Sequence, residues 1–166
     1  MTMIVPLTPD RAGAVEALLD AAFGPGRRTR TAYAVRGDAA PIPGLSFAAL
    51  DDDLTLVGSI QCWPIVLATD AGDRVPLVMV GPVAVLPGLQ QGGIGRRLTE
   101  AALAAADADG LGDAMMLIGD AEYYGRFFGF SADRTAAWRL PGPVERHRLL
   151  ARGAAVPDAA GMLGPA

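Results

Sequence analysis

The spacing of apolar and polar positions changes several times along the chain, and each change marks an element. Residues 1–6 form a short apolar run, read as a first strand. Ala12, Val15, Leu18, Leu19, Ala22 and Phe23 then recur at the spacing of one helix face. Thr8 stands at the N-cap position of that helix, with Pro9 in its first turn and Asp10 near the positive end of its dipole. Gly24-Pro25-Gly26 ends it. Residues 27–36 fit a second short helix, and 37–44 a loop. Residues 45–50, 54–67 and 75–85 are apolar runs joined by the short polar turns 51–53 and 69–73, the pattern of an antiparallel meander.

After residue 86 the pattern changes. Residues 87–92 read as a loop, and 93–106 as a helix with Ile94, Leu98, Ala102 and Ala105 on one face. Residues 114–118 form a fully apolar strand. Strand, loop, helix and strand in that order make a βαβ unit, which favours parallel pairing of its strands. A short aromatic helix follows at 121–128, then closing strands at 135–140 and 148–153 around the Pro141-Gly142-Pro143 turn. Residues 154–166 carry little pattern. The expectation is a single domain over 1–153 with a C-terminal tail or arm, partly disordered, over 154–166.

Composition removes several classes of function. Of 166 residues, 51% are hydrophobic and 19% charged, which excludes a disordered chain. The net charge is −4, so no basic footprint points to a nucleic-acid partner. All 14 basic residues are arginine, and without lysine no Walker A phosphate loop can exist. The clusters Arg27, Arg28, Arg30 and Arg146, Arg148, Arg152 read as solvated surface. The one cysteine, Cys62, lies in an apolar run and reads as a buried, inert thiol. His147 is the one histidine, too few ligands for zinc, and no metal is expected. The aspartate run 51–53 reads as a turn. The longest apolar stretch, 75–89, is broken by prolines and glycines, so no membrane span is expected. No charged and apolar leader pattern opens these residues, and the expected location is cytoplasmic.

The chemistry concentrates in residues 81–98. A central strand carrying Gly81-Pro82 runs through Val83, Ala84 and Val85 into a glycine-rich loop that opens a helix. Proline lacks a ladder donor, so Gly81-Pro82 should weaken or bulge the strand. Gly92, Gly93 and Gly95 allow an anion close to the backbone amides at the positive helix end. Arg96 and Arg97 in the first turn oppose the helix dipole, a cost that an anionic ligand would relieve. A dinucleotide fingerprint fails here, because Gly93-Ile94-Gly95 lacks its third glycine.

This string resembles the acetyl-coenzyme A signature of the GNAT-type N-acetyltransferases: a Val-Ala-Val-like strand end, a proline, then Gln/Arg-x-x-Gly-x-Gly/Ala. Val83 to Val85, Pro87, Gln90, Gly93 and Gly95 match it. A second block, Gly119-Asp120-Ala121-Glu122-Tyr123-Tyr124-Gly125-Arg126-Phe127-Phe128-Gly129-Phe130, looks like the family's later Tyr…Gly-Phe segment. The resemblance implies an α+β fold, the three-layer α/β/α GNAT arrangement: a mostly antiparallel twisted sheet with a central splayed strand pair. It implies acetyl transfer from acetyl-coenzyme A to a primary amine of a small molecule or a protein or peptide terminus. The alternative is a non-catalytic acyl-coenzyme A binding or sensing module. The resemblance places the pantetheine arm against Val83, Ala84 and Val85, the pyrophosphate on Gln90, Gln91, Gly92, Gly93, Ile94, Gly95 and Arg96, and Tyr124 and Phe127 beside the cofactor. Tyr124 is the expected acid for the leaving thiolate. It stands one residue further from the Gly-Phe pair than is common in the family, which keeps Tyr123 as an alternative. The strand carries no carboxylate. Asp120, Glu122 and Asp51 are weak candidates for the base, beside a water chain with no single base. The acceptor region holds Phe23, Tyr33, Trp63, Trp138 and several arginines, which suits an acidic or partly apolar amine. A homodimer is left open.

Overall fold

The meander forms as its pattern predicts. In the computed structural model, which describes residues 1–166, β1 (Met3–Pro6), β2 (Phe47–Leu50), β3 (Leu56–Thr69) and β4 (Arg74–Val85) lie side by side, each antiparallel to the next. β5 (Met115–Ile118) joins β4 in parallel, across the crossover helix α3 (Ile94–Ala108). β6 (Trp138–Arg139) lies apart from that path, and β7 (Leu149–Arg152) pairs antiparallel with β5. The helices α1 (Ala12–Phe23) and α2 (Thr31–Arg36) pack on one face of the sheet. α3 and α4 (Ala121–Phe128) pack on the other, where Ile94, Leu98 and Ala102 meet Ile60, Cys62 and Val80. The result is the three-layer, mostly antiparallel α+β arrangement. No helix is long and apolar enough to cross a membrane.

Side-chain parity along β4 reveals the expected bulge. Val78 and Val80 point to the α3 face, and Leu77 and Met79 to the opposite face. Beyond Gly81-Pro82 the parity reverses: Val83 and Val85 now meet the α3 side, and Ala84 meets α1. One inserted residue does this, because strand side chains alternate with period two. The register against β3 agrees: Cys62 faces Val80, while Ile60 faces Val83. Gly81 carries the distortion at φ +115°, a conformation open to glycine and strained for other residues.

Three local expectations are corrected. Thr8 is extended but makes no side-chain cap bond. A single 3-10 turn, Pro9–Arg11, precedes α1, and the nearby Thr8 hydroxyl helps to hold the Asp10 carboxyl below its ordinary pKa. The strand expected at 135–140 shrinks to Trp138–Arg139 and pairs with residues 161–162 rather than with β7. The C-terminal arm is itself sheet: β8 (Gly161–Pro165) pairs antiparallel with β3 over Ile65–Thr69, so the boundary at 153 does not hold. Its pattern is weak because glycine and proline fill three of its five places. Only Leu163 anchors it, fully buried against Trp138 and Leu67.

Leu163→Ala should therefore destabilise the protein by about 2–5 kcal/mol, the range for a buried leucine. Urea unfolding reads this directly. A change within about 0.5 kcal/mol, the usual surface value, would mean that β8 is not docked.

Candidate active site

The bulge in β4 creates an opening. β4 and β5 pair only at Val78↔Met115 and Met79↔Met116, and beyond that point they part. The Trp63 indole N–H donates to the Gly81 carbonyl at 2.7 Å, which holds the bulge in place. A cavity of about 950 Å³ occupies the gap. Its walls are Met79 to Val83 of β4, Leu117 to Asp120 at the end of β5, the two tyrosines of α4, and a third wall from α1, α2 and the segment between them. Cys62 is fully buried behind the bulge, and burial pushes its thiol up to about 12, so it is inert at neutral pH, as expected.

The start of α3 stands at one end of the parted edge. Gly93 is its N-cap in the left-handed region, φ +78° and ψ 9°, and no side chain caps the helix. The amides of Gly93, Ile94, Gly95 and Arg96 have no hydrogen-bond acceptor within the chain. Four aimed amides on a helix of 15 residues with no acidic first-turn residue form a strong anion-binding surface. Gly95 is not required by packing. A Cβ there would meet only methyl groups of Val83 and Val85, at 3.7 Å. A Cβ at Gly93, by contrast, would meet nothing within 4 Å. The Gln90 side chain lies 3.5 Å from the Val85 carbonyl, tethering the loop to β4. Gln91, Gly92 and Ile94 border a separate shallow hollow together with Arg97.

Across the gap, α4 begins at Asp120, whose carboxylate accepts the Glu122 amide at 3.0 Å. Tyr123 and Tyr124 both line the cavity, with rings edge to face at 5.0 Å. Tyr124 is the deeper. Its ring rests on Gly119, where a Cβ would lie 2.6 Å from the ring, so glycine there makes room for it. Burial holds both phenols above their ordinary pKa, with Arg148 opposing this at Tyr124 and Arg96 at Tyr123. Both stay protonated at neutral pH. Arg96 pairs with Glu100 at 3.0 Å and lies 4.3 Å from the Phe127 ring centre, so the start of α3 meets α4 there, although neither Arg96 nor Phe127 lines the cavity.

The carboxylate candidates separate. Asp120 lines the cavity, whereas Glu122 and Asp51 do not. Asp51 is a turn former, accepting the amides of Asp53 and Thr55 at 2.9 Å each. Glu145 also reaches the cavity, and the sequence reading missed it. His147 is exposed, 3.4 Å from Glu145. Trp138 belongs to the core, 0% exposed, and takes no part in the cavity. The surface reading of Arg27 is corrected: it is 2% exposed, paired with Glu16 and Asp20 and bonded to the Tyr33 hydroxyl. Arg36, which no cluster flagged, also lines the cavity and is 8% exposed. Its one sequence signal was helical spacing: Tyr33 three residues earlier faces the same way.

A parted strand edge, the free amides of α3 and two tyrosines are thus brought close together around one opening. The profile of the acetyltransferase (GNAT) family matches residues 13–130, and the chain belongs to that family. It is an acyltransferase, and acetyl-coenzyme A is the donor that its family uses. Among solved structures, the GNAT family N-acetyltransferase YhbS from Escherichia coli, in complex with CoA, matches with TM-score 0.77 at 21% identity, covering 99% of this chain and 89% of that one. A GNAT family acetyltransferase from Brucella melitensis, in complex with acetyl-CoA, matches with TM-score 0.63 at 27% identity, covering 93% and 97%. The ribosomal-protein-S18-alanine N-acetyltransferase from Escherichia coli shares the fold at TM-score 0.57 and 17% identity, covering 91% and 90%. No curated protein matches by sequence.

The Tyr124 environment makes a direct prediction. Comparison of the ultraviolet alkaline titration of wild type with that of Tyr124→Phe should show that the missing phenol ionises above about 10, the ordinary tyrosine value. Loss of a phenol that titrates at or below that value would place Tyr124 in water.

Proposed function

We propose that the protein transfers an acetyl group from acetyl-coenzyme A to a primary amine on a small molecule or a peptide terminus, by direct attack inside this cavity. One observation carries the reading. The unpartnered edge of β4 runs from the free amides of α3 to the two tyrosines. In this reading Val83, Ala84 and Val85 offer backbone groups to the pantetheine amides along that edge. Gln90 to Arg96 take the pyrophosphate, with Gln91 and Gly92 at the rim and Phe127 flanking the entrance with Arg96. Acetyl-coenzyme A supplies an acetyl group activated as a thioester. The amine nitrogen attacks the carbonyl carbon. A C–N bond forms, the C–S bond breaks, the nitrogen loses a proton and the sulfur gains one. A β4 amide at the bulge can polarise the carbonyl.

Tyr124 then acts on the sulfur. Burial holds the Tyr124 phenol above the ordinary tyrosine value of about 10, which makes it a reluctant proton donor. Full proton transfer from the Tyr124 phenol is therefore uphill. Its contribution is a hydrogen bond that strengthens as charge builds on sulfur, while the proton itself comes from the nitrogen, which carries it in excess once the neutral amine has attacked. Asp120 is the one carboxylate from the sequence candidates at the cavity, and with its side chain engaged by the α4 amide it serves best through water.

The cofactor assignment predicts that acetyl-coenzyme A at 100 times its Kd stabilises the fold by about 2.7 kcal/mol. Gly95→Val should abolish that shift with little change in the unliganded melting temperature. Normal binding by this variant would move the pyrophosphate off the loop. The placement of the Tyr124 hydroxyl beside the developing thiolate predicts that Tyr124→Phe keeps acetyl-coenzyme A binding and lowers turnover about 10²–10³-fold, the range for losing one donor to developing charge, with Tyr123→Phe near wild type. Full activity in both single variants would remove a tyrosine from the chemistry.

A further inference from the structure

Arg36 is the one arginine of the cavity wall that is both buried and without a carboxylate. Arg27 is as deeply placed, but Glu16 and Asp20 neutralise it. Arg30 and Arg148 also line the cavity but are solvent-exposed. No salt bridge includes Arg36. No side chain hydrogen-bonds Arg36; the Tyr33 phenol and, at longer range, the Glu16 carboxylate act on its charge, and both are already engaged by Arg27. Burial of a guanidinium without a counter-charge is unfavourable, and burial accordingly lowers its pKa. The fold nonetheless invests in holding it. Its guanidinium carbon lies 3.9 Å from the Tyr33 ring centre and 3.8 Å from the Trp63 ring centre. Two rings thus pack against the guanidinium, which also lines the cavity, and its N–H donors all lie in its own plane. That is the geometry of a fork for a planar, two-oxygen anion.

We infer that the acceptor is an aminocarboxylate, an amino acid or a close analogue, whose carboxylate pairs with Arg36 while its amine faces the gap between β4 and β5. The inference rests on the reading that this cavity receives the acceptor amine. A planar carboxylate fits in the plane of a guanidinium walled by two rings better than a tetrahedral phosphate does. Trp63 links the two functions, because the residue that stacks on Arg36 also anchors the Gly81 carbonyl of the bulge. The carboxylate hold and the parted strand are therefore set by one side chain.

The test measures thiol release from acetyl-coenzyme A with a panel of amino acids. Each is paired with its amide and with the amine that lacks the carboxyl group. The free acids should exceed both partners in kcat/KM by about 10- to 100-fold, the range for a charge-assisted pair. Arg36→Gln should erase that preference by raising KM for the acids alone, and Arg36→Lys should restore part of it. Acetyl-coenzyme A binding and the near-ultraviolet circular dichroism of Arg36→Lys report whether the stack still folds. Equal or better rates with amides or decarboxylated amines would overturn the inference, as would turnover confined to phosphorylated amines. Either result leaves acetyl transfer standing. Bound acetyl-coenzyme A with no thiol release from any amine would overturn both.

Discussion

A strand with one residue too many cannot stay in register with two neighbours, and β4 of this protein is such a strand. β3 follows the bulge, because its partner on that side is antiparallel and continuous on both flanks of Gly81-Pro82. β5 does not follow, and its pairing ends after two residues. The cavity, the free edge at Val83 to Val85 and the line of approach from α3 all derive from that mismatch. The distortion is secured from the β3 side by the Trp63 indole and given backbone freedom by Gly81. Unpaired strand edges are otherwise a liability for a soluble sheet. Here the edge is inside the molecule, facing a cleft rather than other chains.

Charge is arranged around this opening with economy. Two arginines of one short segment have opposite fates. Arg27 is locked to α1 by two carboxylates and braces the wall through Tyr33, whereas Arg36 keeps its charge for the cavity. On the far side, α3 presents amides with no acid beside them. Both ends of the cleft therefore favour anions, and the tyrosines between them are neutral. Such a field suits a donor with phosphates at one end and an acceptor with its own negative group at the other.

The parts legible in the sequence were those with local causes. Gly81-Pro82 predicts a bulge because proline removes a donor and glycine permits the turn, and the parity reversal between Val80 and Val83 is its trace. The glycine loop, α3, and α4 from Ala121 to Phe128 follow from spacing and punctuation in the same way. What stayed hidden depends on distant partners. Gly161 to Pro165 has no strand-like alternation, yet it completes the sheet because β3 extends beyond β2 and leaves an edge to fill. Arg27 looked like surface because its two carboxylates are 7 and 11 residues away on another helix. Arg36 had no cluster to announce it, and its aromatic partners are separated by thirty residues of chain. Glu145 reaches the cavity from a turn with no pattern of its own.

The docking of β8 orders the molecule in time as well as in space. β3 is synthesised long before β8, and α2 packs against β8, with Gly37 close enough that an added Cβ would strike Pro165. A nascent chain can therefore assemble the meander, α3 and the anion-binding loop while the wall that carries Arg36 still lacks its backing. Long-range strand pairing of this kind is slow to form and comes late. The loop and free amides of α3 can be built early during translation, and the wall that carries Arg36 is finished only when the last strand arrives.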